Sequence, residues 1–275
     1  MIRKKKMKIL FIGDVIGKTG RKCIAEYLPK LIKEKNIDFV IANGEHISNG
    51  FGIQEAQAKT LFDLGVDCFT GGNHTFKKRD SFHFIETEKR VIRPANFPKS
   101  SVGRGHYLFE KNGKKILVLN LMGQIFMDSS YDSPFDLADK ILENYSLGRN
   151  VDAIFVDFHA EATGEKMGLG HYLDGRISCL AGSHTHIPTS DFHIMEKGSG
   201  YISDAGMCGD YNSMIGMKTE NALHKMVSKV PNGPFEIATG EPSMVAVLFD
   251  INDQGLTREV EQIKIGGYLE RNKLC

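Results

Sequence analysis

The chain has 275 residues, with 35 Lys and Arg against 34 Asp and Glu, a formal net charge of +1, and 41% hydrophobic residues. That balance excludes a bulk electrostatic pull toward nucleic acid or a membrane surface, and the length fits one domain that folds without a disulfide or structural metal. The five cysteines, Cys23, Cys68, Cys179, Cys208 and Cys275, are scattered, odd in number and free of any Cys-x-x-Cys pair, which argues against a disulfide framework or zinc ribbon and fits buried thiols in a reducing cytoplasm.

The basic lead-in around KKK (4–6) reads as a solvated tail, and the apolar run 9–12 is too short for a signal peptide and stops at Asp14. KILFIGD (8–14) therefore predicts a first strand. A helix follows at 20–35, with Ile24, Leu28, Leu31 and Ile32 on one stripe and Thr19 as N-cap. DFVIANGE (38–45) predicts a strand, then a helix at 54–64; VDCFTGGNH (66–74) another, then a short helix near 80–87. KILVLNLMG (115–123), a helix at 134–145, AIFVDFHAE (153–161) and ISCLAGSHTH (177–186) continue the alternation. The last third turns β-rich at 201–206, 243–252 and 261–267, and 231–242 reads as a surface loop. Near-continuous apolar strands alternating with amphipathic helices predict an α/β sheet protein, taken as a single domain 1–275. No segment approaches the ~20 apolar residues of a membrane span.

Polar residues gather where these strands end. Asp14, Glu45, Asn73 with His74, His159, and the pair His184 and His186 all fall at predicted C-terminal strand ends, the edge where open α/β sheets bind ligands. One such residue would be an ordinary helix cap or loop side chain. Five strand ends in series predict a metal site. Its donors are oxygen and nitrogen, which suits Mn, Fe, Zn or Ni rather than Cu(I) or an iron–sulfur cluster. Six donors, Asp14, Glu45, Asn73, His159, His184 and His186, would saturate one octahedral ion. Shared by two ions they leave open positions, the arrangement used for phosphate-ester hydrolysis.

The motifs GD (13–14), NGE (43–45), GNH (72–74), DFH (157–159) and GSHTH (182–186), in this order, resemble the calcineurin-like metallophosphoesterase superfamily. GDVIGKTGR (13–21), RPANFP (93–98), DFHAEATGEK (157–166) and GSHTHIPTSD (182–191) are similar to its YmdB-like bacterial branch, over nearly the whole chain. The resemblance implies a four-layer α-β-β-α sandwich of two packed mixed sheets flanked by helices. It implies Asp14, Glu45 and His186 on one ion, and Glu45, Asn73, His159 and His184 on the other. It implies two divalent or trivalent transition-metal ions, Fe or Mn first and Zn next. His74, with an imidazole pKa near 6.5, is then the general acid or transition-state stabiliser. The implied substrates are small phosphoesters or nucleotides such as 2′,3′-cyclic nucleotides, RNA-derived ones included.

The sequence departs from the pattern in places. Ile16 stands where the superfamily usually has the histidine of Asp-x-His, and Glu45 replaces the usual bridging Asp, features that the YmdB-like branch shares. His46 stands where that branch typically has Asn. It is a candidate catalytic residue, with three roles open: a donor to the substrate, a protonated phosphate anchor, or a side chain turned away.

GDVIGKT (13–19) has three residues between Gly13 and Gly17, one too few for a P-loop. His83, His106, His171, His193 and His224 lie outside the motifs and read as structural or surface residues, with His171 the first exception to check. Met207 and Cys208 fall in a Gly-rich stretch that reads either as a loop bordering the site or as core. The leading expectation is a cytoplasmic phosphodiesterase acting by metal-activated hydroxide attack, with no membrane partner and self-association left open. The rivals are a phosphomonoesterase on the same metals and a nucleotide-binding regulator with little turnover.

Overall fold

The computed structural model describes residues 6–127, 131–230 and 233–271. In chain order the strands are β1 (Met7–Ile12), β2 (Asp14–Val15), β3 (Phe39–Asn43), β4 (Cys68–Thr70), β5 (His106–Lys111), β6 (Lys114–Met122), β7 (Ala153–His159), β8 (Cys179–Ser183), β9 (His193–Ile194), β10 (Gly200–Ile202), β11 (Met207–Asp210), β12 (Pro242–Ile251) and β13 (Thr257–Ile265). The helices are α1 (Gly17–Lys35), α2 (Glu55–Asp63), α3 (Phe82–Thr87), α4 (Pro134–Leu142), α5 (Thr163–Leu173), α6 (Thr219–Ser228) and α7 (Gly267–Arg271).

One sheet runs β2-β11-β12-β1-β3-β4, with β13 also paired to β12, and the other runs β5-β6-β7-β8-β10-β9. The strands that carry the site are parallel: β1 with β3 and β4, and β6 with β7 and β8. β12 returns antiparallel beside β1.

Alternation along each strand divides its side chains between two cores, and burial on both faces is why the strands read as unbroken apolar runs. Leu10 and Ile12 of β1 pack with Ile24 and Leu28 of α1 and Leu61 of α2. Ile9 and Phe11 point the other way, into the layer between the sheets, where the Phe11 and Phe155 rings lie 5.0 Å apart. On β6, Ile116 and Val118 share that middle layer, while Leu117, Leu119 and Leu121 face Ala138 of α4 and Leu169 of α5. The result is the four-layer α-β-β-α sandwich.

Several local expectations need correction. Helix α1 starts at Gly17, three residues early, and its N-cap is Ile16 without a side-chain cap. Thr19 does not cap it: buried, it donates its hydroxyl to the Ala238 carbonyl at 2.9 Å and ties α1 to the loop before β12. Thr19→Val should therefore cost about 1 kcal/mol of stability, read as a lower urea midpoint at unchanged m-value. Met207 and Cys208 lie in β11, buried, with Met207 paired to Asp14, not in a loop. Strand β5 and helices α5 and α6 were not expected. Cys23, Cys68, Cys179 and Cys208 are buried free thiols; Lys4, Lys5, Pro231, Asn232 and Cys275 lie outside the described residues. Among the described residues no helix is long and apolar enough to cross a membrane.

Candidate metal centre

The parallel strands of both sheets deliver their C-terminal ends to one place. β1 leads through Gly13 to Asp14; the turns after β3 and β4 carry Glu45–His46 and Asn73–His74; β7 ends on His159; the turn after β8 carries His184 and His186. Glycine is required where these ends crowd: a Cβ on Gly13 would lie 1.9 Å from the Gly206 carbonyl oxygen, and one on Gly182 would lie 1.8 Å from that of Ser203. His184 (φ 103°) and His186 (φ 66°) are held in left-handed backbone, a conformation that non-glycine residues keep only when the surroundings enforce it. Asp204 enforces it here, accepting from Thr185 N (3.0 Å) and Thr185 Oγ1 (2.8 Å) and from the buried Lys166 Nζ (2.8 Å).

Hydrogen bonds on the outer side of each ring decide which nitrogen faces inward. Ser183 Oγ donates to Asp157 Oδ1 (2.7 Å), so His159 Nδ1, 2.9 Å from that hydroxyl oxygen, must be the donor there. This leaves a lone pair on His159 Nε2. Around Nε2, each at 3.1 Å, stand Glu45 Oε1, Asn73 Oδ1 and His184 Nδ1. His184 Nε2 meets the Glu161 carboxylate at 3.1 Å and Asn73 Nδ2 meets His74 Nε2 at 3.2 Å, so these inward atoms also present lone pairs. Four acceptors on one point repel unless a cation sits among them.

Beside this group, the ligand atoms of Asp14, His46 and His186 lie within 4.8 Å of one another. Asp14 is fully buried; its Oδ2 accepts from the His184 amide at 3.0 Å, and its Oδ1 has no hydrogen-bond partner. Glu45 is fully buried too; its Oε2 accepts from the His74 amide at 2.8 Å, and its Oε1 has no hydrogen-bond donor. Orphaned carboxylate oxygens at zero exposure are costly, and this all-oxygen-and-nitrogen set suits transition-metal ions.

The electrostatics agree. Burial opposes ionisation of Glu45, yet the His159 and His46 rings hold it well below the carboxylate range. Burial likewise opposes a charged His159, but Glu45 outweighs it and raises that ring to about 9. A proton thus competes for the place a metal would take. Burial, with His159 beside it, lowers His184 to about 3. Burial pushes Asp157 up to about 7 against the pull of His159.

All eight residues singled out in the sequence come together here. His171 does not: it is exposed on α5, as His83, His193 and His224 are on their own elements, and His106 packs against Tyr145. Sequence reasoning missed the supports: Asn43, whose amide donates to Asp157 Oδ2 (3.1 Å) and Gly71 O (3.2 Å), then Ser183, Asp157, Lys166 and Asp204. Asn43, Asp157, Lys166 and Ser183 stood inside the quoted motifs, which was the available signal.

Above the centre opens a cleft of about 600 Å³. His46, His74, His184 and His186 form its floor, and Phe51, Met214, Ile215, Met217, Met226 and Phe235 its walls; among the described residues no Lys or Arg lines it.

A family model described as YmdB-like protein matches residues 10–263. Over 248 residues the chain is 42% identical to the 2′,3′-cyclic-nucleotide 2′-phosphodiesterase of Bacillus subtilis strain 168, covering 90% of this chain and 92% of that protein. Among solved structures, a hypothetical protein from Thermus thermophilus superposes with a TM-score of 0.88 at 36% identity, covering 94% of this chain and 99% of that one. A phosphatase of Mycoplasma pneumoniae superposes with a TM-score of 0.89 at 31% identity, covering 96% and 94%. The chain belongs to the YmdB-like family of metallophosphoesterases.

Proposed function

We propose that the chain is a phosphodiesterase using two transition-metal ions, with 2′,3′-cyclic nucleotides among its substrates. Asp14, Glu45 and His186 would hold one ion, and Glu45, Asn73, His159 and His184 the other. The observation that carries this is the convergence of Glu45 Oε1, Asn73 Oδ1 and His184 Nδ1 on His159 Nε2, each at 3.1 Å. When bound, such ions neutralise phosphoryl charge and lower the pKa of the attacking water.

The cleft favours a diester over a monoester. Its walls are apolar, Glu161 stands at its edge, and among the described residues no cationic Lys or Arg lines it. A dianionic monoester would find no such side chain there to supplement the metals. A monoanionic diester carrying a nucleobase matches the Phe51 and methionine surfaces. Protein purified without chelators should carry about two ions per chain. It should hydrolyse bis-p-nitrophenyl phosphate and 2′,3′-cyclic nucleotides faster than p-nitrophenyl phosphate. The reverse preference would establish the monoesterase reading, and tight nucleotide binding without product would establish the regulator.

His74 acts differently from the ordinary imidazole expected from sequence. Burial lowers it to about 4, against the pull of Glu45, and bound cations push the same way. Asn73 Nδ2 donates to its Nε2, leaving the hydrogen on Nδ1, which is buried without a partner. His74 is thus a neutral imidazole on the cleft floor, and His74→Ala should lower kcat by about 10²–10³. Above pH 4 the ring is neutral, so the wild-type-to-variant rate ratio should stay flat from about pH 6 to 8. A ratio falling about tenfold per pH unit above about 6.5 would instead mark an imidazolium acid.

A further inference from the structure

We infer that Glu161 sets the charge selectivity of the cleft: its carboxylate discriminates against doubly charged phosphate monoesters, the reaction product among them, and reserves the centre for diesters. The inference deepens the diester reading above and rests on it.

Strand β7 ends at His159 and α5 begins at Thr163, so Glu161 stands on the short turn between a candidate ligand and a helix. Among the described residues it is the one carboxylate that lines the cleft, and no Lys or Arg lines it to offset that charge. Asp14 and Glu45 are fully buried, whereas the Glu161 side chain is 48% exposed, so its charge reaches the space a substrate enters. It is also tethered. Glu161 Oε2 lies 3.1 Å from His184 Nε2. His184 Nδ1 faces His159 Nε2 at 3.1 Å, so the ring hydrogen sits on Nε2 and is donated to the carboxylate. A carboxylate held to the ring of a candidate ligand stays close to whatever the centre holds.

The reaction itself supplies the charge difference. A diester carries one negative charge. Water adds at phosphorus, one ester P–O bond breaks, and the freed oxygen takes a proton from the water. The monoester that remains has a second acidic hydroxyl, which ionises near neutral pH. Product and rival substrate thus bear up to two charges where the diester bears one. Attraction to bound cations draws both in, and a fixed carboxylate repels the dianion twice as strongly as the monoanion. Glu161 therefore favours entry of the diester and exit of its product.

The test is inhibition of metal-loaded protein at about pH 8 by inorganic phosphate, largely a dianion there, and by dimethyl phosphate, a monoanion. Metal content is measured alongside. Glu161→Gln keeps an oxygen to accept from His184 and loses the charge. It should keep about two ions per chain. The ratio of its inhibition constants, phosphate over dimethyl phosphate, should fall about 3- to 10-fold, the scale of one unit charge acting through partly solvated space. The kcat/KM ratio of bis-p-nitrophenyl phosphate to p-nitrophenyl phosphate should fall by a similar factor. Both shifts should shrink at about 1 M salt, which a purely structural role would not produce. Glu161→Asp, which keeps the charge, should hold the wild-type ratios. If Glu161→Gln keeps its metal and leaves both ratios unchanged, the inference fails alone. If Glu161→Gln loses an ion, Glu161 acts through His184 and the charge inference is overturned. If wild type itself prefers the monoester, the diester reading fails and takes the inference with it.

Discussion

Asp14→Ala is expected to abolish hydrolysis of bis-p-nitrophenyl phosphate, a loss of about 10³-fold or more, the upper scale for removing one transition-state electrostatic group. Bound metal should fall with it. The reason is geometric. Asp14 brings its carboxyl group to zero exposure; its Oδ2 fixes the His184 amide at 3.0 Å and its Oδ1 faces the cluster with no partner. Truncation removes a donor and frees the His184 turn, whose left-handed backbone depends on such bonds. It also leaves the partly buried His184 amide without its acceptor, costing about 1 kcal/mol. Asp14→Asn separates these effects. The amide oxygen can still accept from His184 N, so stability should return, while the lost charge keeps metal content and rate low. Full activity and full metal in both variants would end the metal-centre reading.

The strand ends were legible because burial on both faces leaves few polar residues inside a strand. The first Asp, Glu, Asn or His after an apolar run therefore marks its exit, as Asp14, Asn43 and His184 do. The turns were less legible. The stretches predicted at 38–45 and 66–74 stop at Asn43 and Thr70, because Glu45 and Asn73 need curled backbone to reach inward. Helix α5 escaped notice because Gly164, Gly168 and Gly170 interrupt any apolar stripe, and its buried face includes Glu165 and Lys166. That face is polar for a reason that lies elsewhere in the chain. Glu165 accepts from the Gln124 and Ile125 amides, and Lys166 pairs with Asp204. Partners 38 to 41 residues apart leave no periodic trace. The direction of the His46 ring was illegible for the same reason: the Gly50 carbonyl sets it, and that carbonyl is aimed by a left-handed turn.

Gly72→Ala should remove the metal centre while sparing the fold. The Gly72 backbone lies outside the left-handed region, so alanine meets no conformational penalty there. What it meets is the site: its Cβ would lie 2.3 Å from His159 Nε2 and 2.5 Å from Glu45 Oε2. Neither neighbour can withdraw. His159 is buried and bonded to Ser183 at 2.9 Å, and Glu45 Oε2 is bonded to the His74 amide at 2.8 Å. The methyl group therefore pushes two donors away from the point on which they converge. Overpacking of this kind costs about 1–3 kcal/mol, so the variant should keep its far-UV spectrum and unfold cooperatively at lower temperature. Metal content should drop by at least one ion per chain, and diester hydrolysis by about 10³-fold. Gly164→Ala is the control: its Cβ meets nothing within 4 Å, and alanine in a helix is favourable by up to about 1 kcal/mol, so metal and rate should not change. If Gly72→Ala retains both ions and full activity, the convergence at His159 Nε2 is not where metal binds, and the donors must be sought elsewhere on the cleft floor.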